Sequence, residues 1–220
     1  MSALLVRDDA AGRAEAVRVL QAGGIVALPT DTVYGIGVAL DAERGIERLF
    51  EAKRRPPDRA VMLLLDSAEQ ARGIGSWPPV AAALAEAFWP GGLTIVVDQL
   101  PAANLPPELT GGAPTIGLRV PDHACPRALA AAIGALPVTS ANLSGQPPAR
   151  DAAEIAAQLG DAVDCIVDGG PAHGGPASTV VDCTADPVRI LRVGAVAEDA
   201  VAACLAGLAS VAGRPLEDGA

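Results

Sequence analysis

Lysine is almost missing from this chain: Lys53 is the only one in 220 residues. Aromatic residues make up 2% of the sequence and histidine occurs twice. A core of such a chain has to be built from Ala, Val, Leu and Ile, and few ring faces are left on which bases could stack. Positive charge is scarce as well. The formal net charge is −10, which argues against wrapping long nucleic acid, whose affinity rests on many Lys/Arg–phosphate contacts. The four cysteines, Cys125, Cys165, Cys183 and Cys204, form no CxxC pair. That excludes a zinc ribbon and a disulfide framework and predicts buried free thiols. His123 and His173 show no metal-ligand spacing. The first residues lack the pattern of a signal peptide, and no apolar run approaches the ~20 residues of a membrane span. A soluble cytoplasmic protein is expected, with no membrane partner.

The usual nucleotide-binding loops are missing too. There is no GxxxxGK[ST], and Gly35-Ile36-Gly37 lacks the third glycine and the helix of a dinucleotide fingerprint. A phosphate ligand would have to be held by side chains and turns at several separate places.

What is present is concentrated. Four of the 16 positive residues fall within Lys53-Arg54-Arg55-Pro56-Pro57-Asp58-Arg59. A single lysine suits a site that needs a compact ammonium rather than a planar fork, and two prolines stiffen the segment. The stretch reads as a cradle for a small polyanion, or as a basic turn that balances a helix C-terminus.

Strand and helix patterns alternate along the chain, then strands cluster near the end. Apolar runs mark strands at 3–6, 25–28, 61–65, 93–97, 115–120, 137–140, 165–167, 178–183 and 188–193. Helices are expected over 10–22, 42–52 with Asp41 as cap, 67–73, 79–89, 122–133 with Asp122 as cap, 151–159 and 197–209. Residues 98–114 read as an irregular loop. The fold class is α/β with a mixed sheet. One domain is expected over 1–195, followed over 196–220 by a C-terminal helix with a loose tail and no second domain.

Four polar stretches lie beside strand ends, where open α/β sheets place ligands. They are Thr30 to Gly35, Thr115 with Arg119, Thr139 to Gly145 followed by Arg150, and Ser178-Thr179 with Arg192 on the next strand. Positions 115, 117 and 119 share one strand face, so hydroxyl and guanidinium point the same way and Gly117 leaves room between them. An inward arginine there calls for an anionic partner. Each stretch also has a plain reading as turn or cap chemistry.

Taken in order, Pro29-Thr30-Asp31-Thr32-Val33-Tyr34-Gly35, Ala52-Lys53-Arg54-Arg55-Pro56, Phe88-Trp89-Pro90-Gly91, Leu118-Arg119-Val120-Pro121-Asp122-His123, Ser140-Ala141-Asn142-Leu143-Ser144-Gly145 and Ser178-Thr179-Val180-Val181-Asp182 resemble the YrdC family of L-threonylcarbamoyladenylate synthases. The likeness covers roughly 20–195 and is to the short, single-domain form. It implies a twisted mixed sheet flanked by helices, with a deep, positively lined cavity. It implies condensation of L-threonine, bicarbonate and ATP to threonylcarbamoyl-AMP and pyrophosphate, with Mg²⁺ accompanying ATP and no dedicated metal ligands. A downstream tRNA threonylcarbamoyl transferase complex would consume the product, and the resemblance would allow weak direct tRNA binding. By motif position, Thr32, Arg119, Ser140 and Ser178 would hold threonine. Lys53, Arg55, Arg59, Thr115, Asn142, Arg150 and Arg192 would hold ATP, with Lys53 and Arg55 at the reacting phosphates. Ala60, Leu64 and Val193 depart from frequent family residues: proline, histidine and proline respectively. Two other readings stay open: a double-stranded RNA or tRNA-binding module of the same fold, and a paralogue acting on a different acceptor.

Overall fold

A computed structural model describes residues 3–54, 60–172 and 175–212, with the side chains of 209–212 excepted. Among these residues ten strands form one sheet: β1 (Leu4–Arg7), β2 (Val26–Leu28), β3 (Gly35–Gly37), β4 (Met62–Leu64), β5 (Leu93–Asp98), β6 (Thr115–Arg119), β7 (Leu136–Ser140), β8 (Cys165–Asp168), β9 (Thr179–Asp182) and β10 (Arg189–Arg192). Their order across the sheet is β1-β8-β2-β3-β7-β4-β6-β5-β9-β10. Pairs β1·β8, β2·β8, β4·β6 and β5·β9 are parallel, and the other five are antiparallel. The expected mixed sheet is therefore present.

Among the described residues eight α-helices accompany it: α1 (Ala10–Gln21), α2 (Gly45–Lys53), α3 (Ala68–Arg72), α4 (Pro79–Phe88), α5 (Pro107–Thr110), α6 (Ala124–Ile133), α7 (Ala152–Leu159) and α8 (Glu198–Ala212). Strand alternation divides the core in two. Val26 and Leu28 of β2 join Leu20 of α1 and Leu129 of α6 in one cluster. Ala27, between them, joins the larger cluster, which holds Ile36, Leu49, Leu63, Ile95, Leu118 and Val201. Val201 is fully buried, so α8 is packed onto the body through the same core as the sheet. The tail after 212, expected to be loose, lies outside the described residues.

Two expected caps are wrong. Residues 41–44 are not helical, because Ala42 N–H bonds Ala39 C=O and Gly45 N–H bonds Ala42 C=O in consecutive turns. The helix starts only after Arg44, which is left-handed (φ 52°) and makes no side-chain cap. At α6 the cap is His123, not Asp122: its imidazole Nδ1 accepts from Cys125 N–H at 3.2 Å. The box patterns at Ser67 and Asp151 do cap, accepting from Gln70 and Glu154 N–H. The 98–114 segment is less irregular than expected, since it contains α5, with Leu109 buried.

Candidate active site

The strand order brings all four polar stretches together. β3 lies beside β7, so Gly35 is opposite Ser140, and Tyr34 C=O accepts from Ala141 N–H at 2.8 Å. β5 joins β6 on one side and β9 on the other, which puts Thr94 between the Arg119 end of β6 and the Ser178 end of β9. These strand ends enclose a pocket of about 540 Å³. Thr32, Thr115, Arg119, Ser140, Asn142, Ser178 and Arg192 all line it, with Gly117 between Thr115 and Arg119 as the strand pattern requires. Met62, Leu64, Val96, Val138 and Val180 give it apolar walls.

Arg119 is the best-held group of the site. Its Nη2 donates to Asp31 Oδ1 at 2.5 Å, Nη1 to Thr32 Oγ1 at 3.0 Å and Nε to Gly91 C=O at 2.9 Å. Burial lowers its pKa and the Asp31 carboxylate opposes that shift. Thr32 is fixed in turn by Thr30, whose Oγ1 lies 3.1 Å from Thr32 Oγ1 and donates to Val33 C=O at 2.7 Å.

Arg192 approaches from the edge strand. Its Nε and Nη2 donate to Ser178 C=O at 3.0 and 2.8 Å, and Nη2 also reaches Ser178 Oγ at 3.1 Å. Its pKa is lowered first by desolvation, then by the charge of Arg119. Two guanidinium groups thus repel one another across this pocket while one carboxylate, Asp31, serves Arg119. An anion bound near both would relieve that repulsion.

Lys53 is placed differently from the cradle reading. It is 2% exposed and lies behind the pocket wall rather than in it. Its Nζ donates to Ser140 C=O, to Asn142 C=O at 2.6 Å and to Asn142 Oδ1 at 3.3 Å. The Asn142 amide donates to Leu143 and Gln146 C=O, both at 2.8 Å. These groups fix the 140–146 loop, as the turn-chemistry reading of the stretch expects. Arg150 is not in the pocket lining; it is exposed and bonded to Glu154, with Nη2–Oε1 at 2.6 Å. Arg55 and Arg59 lie outside the described residues.

Asp31 and Thr94 were missed as site residues. Asp31 is the partner that an inward Arg119 demanded, and it sits in a stretch already singled out. Thr94 is the one hydroxyl in the apolar run Leu93 to Val97, a signal masked by the ordinary preference of threonine for strands. Among the described residues no group of three or more His, Cys, Asp or Glu side chains could hold a metal ion. No helix among them is long and apolar enough to cross a membrane.

A ten-stranded mixed sheet with polar strand ends gathered around one pocket defines an α/β protein of ligand-binding type. A family model for Sua5_yciO_yrdC, described as "Telomere recombination", matches residues 18–194, and the chain belongs to that Sua5/YciO/YrdC family. A Mycobacterium tuberculosis protein is 40% identical over 195 residues, covering 88% of this chain and 89% of the relative. A Bacillus subtilis relative named threonylcarbamoyl-AMP synthase is 36% identical over 195 residues, 87% of this chain and 56% of the relative. Among solved structures, P. abyssi Sua5 complexed with L-threonine matches with a TM-score of 0.86 and 31% identity, over 98% of this chain. This chain spans 65% of that protein's length. E. coli YciO matches with a TM-score of 0.81 and 25% identity, over 90% of this chain and 98% of its own.

Proposed function

We propose that this chain is a threonylcarbamoyl-AMP synthase. It takes L-threonine, bicarbonate and ATP and releases pyrophosphate. The observation that carries the reading is the pairing of Arg119 and Arg192 on one pocket with Thr32, Ser140 and Ser178, in a chain whose 31%-identical relative is a Sua5 complexed with L-threonine.

The threonine side of the site is Thr32, Arg119, Ser140 and Ser178. The carbamate of threonine attacks the α-phosphorus; the α–β phosphoanhydride bond breaks and pyrophosphate leaves. No protein nucleophile is needed. The protein's part is alignment, worth ~7–11 kcal/mol, and charge compensation by fixed cations. Arg192 and Thr115 face the nucleotide from the pocket wall. Lys53 acts from behind, holding the Ser140–Asn142 backbone against the ligand. Arg150 joins only by exchanging Glu154 for a phosphate. Mg²⁺ would enter with ATP and would add positive charge at the phosphates. The product serves threonylcarbamoylation of tRNA in the cytoplasm through a separate transferase.

Leu64 favours one further question, the choice of acceptor. It is buried, apolar and part of the pocket wall. Pyrophosphate release measured with threonine, with serine and without amino acid tests both points. Release that depends on threonine supports the proposal. Release with serine as good as with threonine points to a different acceptor, and ATP turnover indifferent to amino acid removes the synthase reading.

A further inference from the structure

Thr94 and Ser178 form a pair of hydroxyls with their oxygens 2.8 Å apart. Their residues are 2% and 1% exposed, and both line the pocket. Such a pair has two protons to donate, and one is used between the two oxygens. Arg192 settles which one. A guanidinium only donates, and its Nη2 is 3.1 Å from Ser178 Oγ. An oxygen that accepts from a cation becomes a better donor, because hydrogen bonds in a chain polarise one another. The sequence of donors therefore runs from Arg192 to Ser178 to Thr94. The Thr94 proton is left over.

The acceptor available to that proton is poor. Thr94 Oγ1 donates to the Met62 thioether at 3.6 Å, and a thioether sulfur is a weak acceptor. A buried O–H is costly to leave in that state. The other branch of the side chain is fixed, since the Thr94 methyl carbon packs over Gly117, 3.2 Å from where a Cβ would stand. The hydroxyl is thus directed to the Ser178 and Met62 side of the pocket, where Val96 and Val180 also line the wall. One strong donor set among apolar groups matches a side chain that carries one hydroxyl oxygen next to a methyl group.

We infer that Thr94 is a specificity-determining residue: its hydroxyl donates to the β-hydroxyl oxygen of the amino-acid substrate, with the substrate's methyl against Met62. This rests on the proposed amino-acid site. A pocket built to bond a substrate hydroxyl rejects the analogue without one more strongly than an apolar pocket rejects a missing methylene.

The test is calorimetric binding of L-threonine and of L-2-aminobutyrate, which lacks the hydroxyl, to wild type, Thr94→Val and Thr94→Ser. Pyrophosphate release is followed separately. Wild type is expected to prefer threonine by about tenfold or more. Thr94→Val should lose that preference through weaker threonine binding alone, with 2-aminobutyrate unaffected, and Thr94→Ser should keep it. Thr94→Cys, which replaces the hydroxyl by a weak S–H donor, gives the same reading if valine disturbs the fold. The inference is overturned if wild type shows no preference, if the variant binds both ligands equally less well, or if it keeps the preference. Preferential threonine binding that vanishes in Thr94→Val, without any pyrophosphate release, would sustain this inference while removing the synthase reading.

Discussion

Arg119 and Asp31 form a salt bridge of 2.5 Å with both side chains almost out of solvent. The charge of Arg119 is therefore already balanced before a ligand arrives. Its other bonds hold Thr32 and the Gly91 carbonyl in place. The cation with more charge to offer a ligand is Arg192, whose guanidinium is bonded to serine oxygens.

Removing one partner of a buried pair strands the other charge. Asp31→Ala should lower unfolding free energy by about 3–5 kcal/mol, read from urea titration. A loss under ~1 kcal/mol, as for an exposed pair, would contradict the burial argument.

Lys53 is expected to act on one loop. Lys53→Met leaves the Ser140 and Asn142 carbonyls without their ammonium donor, at about 1–3 kcal/mol each. Hydrogen exchange over 141–146 should accelerate selectively, including Ser144, whose N–H bonds Lys53 C=O. Lys53→Arg should not restore protection, because a planar fork cannot converge on three oxygens as an ammonium does. Equal exchange in wild type and Lys53→Met would show the ammonium does not hold the loop.

Gly194 controls the Ser178 segment. A Cβ there would stand 2.0 Å from Ala177 C=O and 2.7 Å from Ser178 C=O. Backbone, not a flexible side chain, would have to move. The same segment is held by Thr179, whose Oγ1 accepts from Gly194 N–H at 2.8 Å and from Val196 N–H at 3.0 Å. Gly194→Ala should therefore cost about 1–3 kcal/mol or more and weaken threonine binding together with stability. Unchanged melting and binding would mean the strand end yields at no cost.

The thiols set an alkaline limit. Burial pushes Cys165 from 9.0 up to about 11 and Cys183 up to about 12, and raises Cys125 as well. The folded chain keeps these protons where the unfolded chain has released them. Stability is therefore complete below about pH 9 and falls as pH rises towards 12, the sign expected when the unfolded state binds fewer protons. Denaturant midpoints measured from pH 7 to pH 11 check this; a flat profile would contradict it. In native protein at pH 8, alkylation should reach Cys204, which is only partly buried, before the other three.

Much of this pocket is visible in the sequence because its polar lining groups sit at strand ends, and strand ends are marked by apolar runs that stop at Thr, Ser or Asn. Alternation on β6 alone places Thr115, Gly117 and Arg119 on one face. What spacing cannot reveal is which partner a charged group takes. Arg150 lies just before α7 and bonds Glu154 of its first turn, a local contact that competes with any ligand. Lys53 lies in a basic cluster, yet its stem passes beneath the 140–146 loop, which only the β3–β7 pairing brings near. Thr94 looks like any strand threonine until the parallel pairing of β5 with β9 sets it against Ser178. The Asp41 and Asp122 caps failed because neighbouring turns, at Ala42 and at His123, satisfied the amides first.

The most direct measurement follows the carbon of bicarbonate. Purified protein is incubated with ATP, L-threonine, Mg²⁺ and ¹³C-bicarbonate, and the nucleotide products are analysed by mass spectrometry. The account predicts an adenylate that contains threonine and the labelled carbon, formed together with pyrophosphate and missing when threonine is omitted. An adenylate without the label, or nucleotide turnover unaffected by threonine, would contradict it.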